Sequence, residues 1–129
     1  MKNIFILDDS DIVLNMIQIT LESEYIKCHT FKNTEEFINQ LHLKPDVIIT
    51  DHHLNNHLGK VHTGLDLIKF LTQTKNNTSV VVISGQTDYK VVLDYILKEV
   101  RVYINKDDND FLGILKSNIN LLINSNLES

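Results

Sequence analysis

The segment VIITD at residues 47–51 is an unbroken apolar run, rich in β-branched residues, that ends in a carboxylate. Two other segments share this pattern, IFIL at residues 4–7 and VVVI at residues 80–83, and each is also followed by a polar residue. Such runs are typical of parallel strands covered on both faces, because a strand with one wet face alternates between apolar and polar residues. The three segments therefore predict the centre of a buried parallel sheet.

Helical patterns separate these strands. Apolar residues recur three or four positions apart, as at Val13, Ile17 and Leu21, which gives each segment an apolar face. The predicted helices run over about 11–22, from Thr34 as N-cap toward Pro45, after Gly64, over about 88–98 and over about 109–124. The two weaker strands are predicted at residues 25–30 and 101–105. A strand and a helix thus alternate five times, which predicts a doubly wound α/β fold with a five-stranded parallel sheet.

The length and composition suit one folded domain. Of the 129 residues, 43% are hydrophobic and 22% are charged, so a core can form and disorder is not expected. We expect one domain over residues 1–129, with its core over about residues 2–124 and a polar tail at 125–129. The net charge of −5 argues against direct nucleic-acid binding, because the phosphate backbone attracts basic surfaces.

The cellular setting can be inferred from two features. Cys28 is the only cysteine, so no internal disulfide can form, which fits a reducing compartment. The apolar run near the N-terminus is too short for a signal peptide or a membrane span. We therefore expect a soluble, cytoplasmic protein that does not bind membranes.

Polar residues follow the predicted strands, at the edge where ligands bind in open α/β sheets. Asp8 and Asp9 follow the first strand, Asp51 ends the third, Ser84 follows the fourth and Lys106 follows the fifth. Three clustered carboxylates repel one another, and a hard divalent cation such as Mg²⁺ or Mn²⁺ would relieve this repulsion. A hydroxyl and an ammonium group suit the oxygens of a phosphoryl group, and a carboxylate can serve as its acceptor.

These motifs, in this order, resemble the receiver domains of response regulators in bacterial two-component systems, of the chemotaxis-regulator type. The resemblance rests on Asp8-Asp9, Asp51, Ser84 and the segment YINK at residues 103–106, and it covers about residues 2–124. It implies the flavodoxin-like strand order 2-1-3-4-5. It also implies that the chain is not a turnover enzyme, although it promotes its own phosphorylation and dephosphorylation at Asp51.

The resemblance further implies a role for each residue of the site. Asp51 would accept a phosphoryl group from a phosphohistidine of a sensor kinase or a histidine phosphotransfer protein. Asp9, Asp51 and the backbone carbonyl of His53 would bind the metal ion directly, and Asp8 would bind it through a water molecule.

Two residues would carry the switch, again by resemblance. Ser84 would move toward the phosphoryl group and Tyr103 would turn inward behind it, which shifts the population between two packings. The downstream protein would bind the face formed by helix four, strand five and helix five. The chain is then either a stand-alone receiver or the receiver of a longer protein whose output domain lies outside these residues.

The loop after Asp51 departs from the family pattern, because it is about five residues longer and lacks an early proline. It carries four histidines, His52, His53, His57 and His62. A zinc site is conceivable, but surface histidines in a polar loop are the favoured interpretation, since no cysteine supports a metal site. Asp107 also follows Lys106 where the family has proline.

The fourth predicted helix is apolar on more than one face. Its apolar residues are Val91, Val92, Leu93, Tyr95, Ile96 and Leu97. Either deep burial or a surface for a partner or a homodimer would explain this width.

Two other functions compete with the phosphoacceptor. The segment DSDIV at residues 9–13 fits the DxDxV motif of haloacid-dehalogenase-type phosphatases, with Asp107 and Asp108 as the late acidic pair. Against it, the chain is short for that fold, and Asp51 would have no role. A pseudo-receiver, which keeps the fold as a binding module without phosphotransfer, is the second alternative.

Overall fold

The structure of the protein is a computed structural model. It describes residues 1–58, 61–74, 78–85, 89–97, 100 and 102–128, and the side chains of these residues except those at 55–58, 61–62, 89–90 and 125–128. Within this part of the chain, no helix is long and apolar enough to cross a membrane.

One parallel sheet of five strands forms the centre of the protein. Its strands are β1 (Lys2–Leu7), β2 (Ile26–Phe31), β3 (Val47–Asp51), β6 (Ser79–Ser84) and β7 (Val102–Asn105), and they lie in the order β2-β1-β3-β6-β7. Counted along the chain, this is the predicted order 2-1-3-4-5. The unbroken apolar runs at its centre are buried because helices cover both faces of the sheet.

Within the described residues, five α-helices cover the two faces, as predicted. They are α1 (Asp11–Leu21), α2 (Thr34–Asn39), α3 (Gly64–Gln73), α4 (Tyr89–Leu97) and α5 (Phe111–Glu128). Successive residues of a strand point to opposite faces, so Ile4 and Ile6 pack with α1 and α5 while Phe5 and Leu7 pack with α2 and α3. A third cluster, built on Ile68, Val82 and Tyr95, joins α3 and α4 to the sheet. The doubly wound fold is therefore confirmed.

The long loop after β3 contains a β-hairpin that the sequence did not indicate. Its strands are β4 (His53–Leu58) and β5 (Val61–Thr63), which pair antiparallel apart from the main sheet. Leu54 anchors the hairpin, because its side chain is buried with Leu7 and Phe37 in the core. The hairpin leads directly into α3, whose first turn is closed by a capping box between Thr63 and Asp66.

Some predicted boundaries differ from the structure. Thr34 was expected to cap α2, but Asn33 does so by accepting a hydrogen bond from the N–H of Glu36, and Thr34 is the first helical residue. The helix α2 ends at Asn39, well before Pro45, and α5 continues four residues beyond its predicted end at residue 124. The predicted limits at residues 88, 98 and 101 lie outside the described residues.

Candidate functional site

Three carboxylates meet at the carboxyl edge of the sheet. One oxygen each of Asp8, Asp9 and Asp51 lies within 4.8 Å of the others, and Asp8 and Asp51 are buried while Asp9 is exposed. The register explains the meeting, because Leu7 of β1 pairs with Thr50 of β3 and each strand then continues into its acidic residue. The donor set fits a divalent cation that prefers oxygen ligands, and the exposed Asp9 leaves a side open to water.

Lys106 holds two of these carboxylates together. Its Nζ lies 2.9 Å from Asp8 Oδ2 and 3.3 Å from Asp51 Oδ2. The backbone N–H of Lys106 donates to the carbonyl oxygen of Ser84 at 2.9 Å, which fixes the residue just beyond β7. Burial alone would lower the pKa of Lys106, but the hydrogen bond to Asp8 and the charges of Asp51 and Asp8 outweigh it and raise the pKa. The lysine therefore stays charged within the carboxylate cluster.

The carboxylate of Asp51 is buried among charged groups. It is only 5% exposed, and burial raises its pKa above the ordinary value for an aspartate. Lys106 offsets part of this effect, the charge of Asp8 adds to it, and a hydrogen bond from the backbone N–H of His53 favours the ionised form. A carboxylate that is short of solvation in this way is expected to gain from a bound cation.

Of the remaining predicted residues, Ser84 lies at the same edge, and Tyr103 lies on β7 two residues before the strand ends. Ser84 is fully buried at the end of β6, where it pairs with Asn105 of β7, and Asp51 pairs with Ile83, the residue before Ser84. Tyr103 of β7 is half-buried, and its ring centre lies 5.4 Å from that of Tyr95 on α4. The structure therefore brings together the strand-end residues that the sequence singled out.

His53 has a contact that the sequence did not specify. It begins β4 and pairs with Thr63 across the hairpin. Its backbone N–H faces the carboxylate of Asp51, and its carbonyl as a metal ligand stays a prediction. The ring of His53 is exposed, as expected for a surface histidine.

His52 is not the surface histidine that was predicted. Its side chain is only 6% exposed, and its Nδ1 lies 2.5 Å from the hydroxyl oxygen of Tyr95, which is fully buried. Burial lowers the pKa of His52 and favours the neutral ring. The sequence did contain one signal for the burial of His52, which is its position directly after a fully buried strand. Side chains continue to alternate between the two faces of the sheet for a residue beyond the strand end.

The zinc site considered for the loop histidines involves residues that the structure does not fully describe. The side chains of His57 and His62 lie outside the described residues. Among the side chains that the structure does describe, the one cluster with metal-binding spacing is that of Asp8, Asp9 and Asp51.

The fourth helix is buried on one face and exposed on another, and its use as a partner surface stays a prediction. Tyr95 is fully buried and faces the sheet, whereas Leu93, Ile96 and Leu97 are exposed. One face of α4 therefore belongs to the core and another is apolar and open to solvent.

Comparison with known proteins identifies a family. The family model described as "Response regulator receiver domain" matches residues 4–113, a range that includes the whole site. No curated protein matches the sequence significantly.

Solved structures share the fold. The response regulator DrrB of Thermotoga maritima is 20% identical with a TM-score of 0.82, and the match covers 98% of this chain and 54% of DrrB. The receiver domain of the Francisella response regulator 1452 is 18% identical with a TM-score of 0.83, over 98% of this chain and 99% of that one. The isolated receiver domain of RcsB from Salmonella enterica serovar Typhimurium, solved with the phosphomimetic BeF3⁻, is 25% identical with a TM-score of 0.75, over 87% and 83%. The chain thus spans about half of DrrB and nearly all of an isolated receiver domain.

Proposed function

The chain belongs to the family of response regulator receiver domains, and we propose that it works as a phosphoacceptor switch in a two-component phosphorelay. The phosphoryl group is carried on Asp51. The observation that carries this proposal is the cluster at the sheet edge, in which buried Asp51 lies with Asp8, Asp9 and the Nζ of Lys106.

The chemistry is the transfer of a phosphoryl group from a phosphohistidine to a carboxylate. An oxygen of Asp51 attacks phosphorus, the P–N bond to the donor imidazole breaks, and an acyl phosphate forms. Asp9, Asp51 and the carbonyl of His53 would hold Mg²⁺ or Mn²⁺, and Asp8 would hold it through a water molecule. The ion would supply positive charge to the phosphoryl oxygens.

Lys106 and Ser84 orient and stabilise the phosphoryl group in this proposal. The Nζ of Lys106 already lies within 3.3 Å of Asp51 Oδ2, so it is placed to pair with an oxygen of the group that Asp51 receives. Ser84 ends the neighbouring strand, and its hydroxyl would donate to a second oxygen. Most of the rate then comes from position and electrostatics.

The switch would connect this site to a protein-binding surface. Ser84 and Tyr103 would shift together on phosphorylation, and Tyr103 lies on β7 beside α4. The exposed apolar residues Leu93, Ile96 and Leu97 of α4 support a surface for a downstream protein, or for a second copy of this chain.

The phosphodonor would be a sensor histidine kinase or a histidine phosphotransfer protein. An exposed apolar face on α1, made of Ile12, Met16 and Ile19, begins close to Asp9 and suits the docking of such a donor beside the acceptor. Neither nucleic acid nor membrane is expected to contact this domain, given its net charge of −5. A cytoplasmic setting is part of the proposal, because the lone thiol of Cys28 fits a reducing compartment.

A dehalogenase-type phosphatase fits the site less well. That interpretation needs Asp9 and Asp11 to act together on substrate. Asp11 instead forms an exposed ion pair with Lys32 at 3.1 Å, and the carboxylate cluster contains Asp51. The chain is thus proposed to act as a switch whose only chemistry is its own phosphorylation and dephosphorylation.

A titration with beryllofluoride and Mg²⁺ tests the phosphoacceptor site. The chain contains four tyrosines and no tryptophan, so tyrosine fluorescence is not masked, and Tyr95 and Tyr103 lie beside the site. We expect a saturable change for the native protein that disappears in EDTA and in Asp51→Asn.

Two results would contradict the proposal. A native protein without any response, also by NMR of its backbone amides, would favour the pseudo-receiver. An equal response in Asp51→Asn would show that the ligand binds elsewhere.

A further inference from the structure

The hydroxyl group of Tyr95 lies where three elements meet. It contacts His52, which follows Asp51 at the end of β3, and it lies against Gly64 at the start of α3. Tyr95 itself lies on α4 and is fully buried. A single polar atom therefore joins the phosphoacceptor strand to two helices.

The direction of the hydrogen bond between His52 and Tyr95 follows from these contacts. Tyr95 is fully buried, so the proton of its hydroxyl group needs an acceptor close by. His52 Nδ1, at 2.5 Å, provides that acceptor when the ring is neutral and carries its proton on Nε2. Burial, which lowers the pKa of His52 and raises that of Tyr95, favours the same protonation states.

Gly64 leaves the space that this hydroxyl occupies. A Cβ atom on Gly64 would lie 2.5 Å from the Tyr95 oxygen and 3.3 Å from the carbonyl oxygen of Asp51. Any side chain at this position would therefore displace Tyr95 from the end of β3.

The backbone around His52 is held on both sides. Its N–H donates to the carbonyl of Ile83 at 3.1 Å, and its carbonyl accepts from the N–H of Gly64 at 2.8 Å. A shift of the chain at Asp51 therefore moves His52 together with the start of α3. The ring of Tyr95 also lies 5.4 Å from that of Tyr103, so it contacts the residue that the proposed switch would move.

We propose that the hydrogen bond between His52 and Tyr95 is a direct link from the phosphoacceptor strand to α4. It rests on the proposed function and adds a second route to it, besides the pair of Ser84 and Tyr103. His52 is a positioning residue: it acts through Tyr95 and sets where α4 lies for each state of Asp51. The exposed apolar face of α4 would then move with the state of the site.

NMR of the backbone amides can separate the link from the site. Beryllofluoride and Mg²⁺ are added to the native protein, to Tyr95→Phe and to Tyr25→Phe. The last variant is the control, because Tyr25 is 73% exposed and its hydroxyl group lies in solvent. We expect the amides near Asp51 and Ser84 to respond equally in all three. The equilibrium between the two positions of α4 should change by about fivefold in Tyr95→Phe alone, the worth of one buried hydrogen bond.

Variants of His52 test the same bond from its other end. His52→Leu removes the acceptor and should reproduce the α4 response of Tyr95→Phe, and combining the two should add nothing further. His52→Asn places an acceptor oxygen near the position of Nδ1 and should retain much of the native response.

Each outcome decides between the link and the site. An unchanged α4 response in Tyr95→Phe, or additive effects of His52→Leu and Tyr95→Phe, would overturn the link while leaving the phosphoacceptor intact. A native protein whose amides near Asp51 do not respond would overturn the phosphoacceptor itself, and the link with it.

Discussion

Asp51 and His52 are neighbours in the chain and almost equally buried, at 5% and 6% exposed, yet they lie in two different pockets. Asp51 lies in a charged pocket, with Asp8 and the ammonium group of Lys106. His52 lies in a neutral pocket, where it contacts the hydroxyl of Tyr95 beside Gly64. Two adjacent polar residues at the end of β3 are thus stabilised in burial in different ways, Asp51 by an ion pair and His52 by a hydrogen bond.

The difference concerns what each pocket can tolerate. In a charged pocket a buried charge needs a partner of opposite sign, and here two buried carboxylates share one ammonium group, so the pocket can take up a further cation. A neutral pocket depends on donors, acceptors and shape, and it tolerates little change in volume. The charged pocket is therefore suited to bind and release a phosphoryl group. The neutral pocket is suited to transmit a displacement of the end of β3 to α4.

Removing the charge of Lys106 should have the largest effect. Lys106→Met leaves Asp8 and Asp51 without their cation, and we expect the free energy of unfolding in urea without Mg²⁺ to fall by about 3 kcal/mol. Adding Mg²⁺ should restore part of it, because the ion supplies the missing positive charge.

Lys32→Met is the matched control for this change. Lys32 pairs with Asp11 at 3.1 Å, a similar distance, but the two side chains are 55% and 69% exposed. Its loss should cost no more than about 0.5 kcal/mol. Equal losses in the two variants would show that Lys106 does not stabilise the buried carboxylates of Asp8 and Asp51.

Filling the neutral pocket should have the next largest effect. Gly64→Ala places a methyl group against the hydroxyl of Tyr95, and we expect a loss of about 2 kcal/mol in the free energy of unfolding. In the Tyr95→Phe background the loss should shrink, because the nearest remaining atoms lie 3.3 and 3.5 Å away, on Asp51 and His52.

Gly113→Ala provides the control for a glycine near the start of a helix. Gly113 is exposed on α5, and the added methyl would meet only the exposed carboxylate of Asp110, which can move aside. This change should stabilise the protein by about 0.5 kcal/mol through helix propensity. If Gly64→Ala costs the same with and without the Tyr95 hydroxyl, the steric account of the neutral pocket is wrong.

The smallest effect on stability is expected at the exposed edge of the charged pocket. Asp9→Asn should change the free energy of unfolding without Mg²⁺ by less than about 0.5 kcal/mol, because the side chain is exposed. The stabilisation that Mg²⁺ gives to the native protein should nevertheless shrink, since it depends on affinity for the folded state. Asp11→Asn, in an exposed acid outside the cluster, should keep the full response to Mg²⁺, and an equal response in both variants would place the ion elsewhere.

The charged pocket could be predicted from the sequence because its residues follow strong signals. Buried strands are strongly indicated by the unbroken apolar runs at residues 4–7, 47–51 and 80–83. The carboxyl ends of parallel strands meet at one edge of the sheet. Once the strands are placed, the acids and the lysine after them have to meet. Their chemistry is also unusual enough in combination to indicate a phosphoryl group.

The neutral pocket could not be predicted in the same way. His52 and Tyr95 are 43 residues apart and each fits another role, the first in a histidine-rich loop and the second in a broad apolar helix. Their contact depends on the exact path of the hairpin and on how closely α4 packs on the sheet. Tertiary packing determines both. The hairpin itself was missed because HLNNHL at residues 53–58 is poor in strand-forming residues.

The start of α2 shows a similar limit on a smaller scale. Asn33 and Thr34 are both good N-cap residues, so local propensity does not choose between them. The structure selects Asn33 because Thr34 is buried in the first turn, a consequence of how α2 packs on the sheet.

The central claim, that Asp51 accepts a phosphoryl group, is tested most directly by intact-mass spectrometry after incubation with acetyl phosphate and Mg²⁺. We predict one added phosphoryl group on the native protein, located by fragmentation at Asp51, and none on Asp51→Asn or in the presence of EDTA. An unmodified native protein, or equal modification of Asp51→Asn, would contradict the claim.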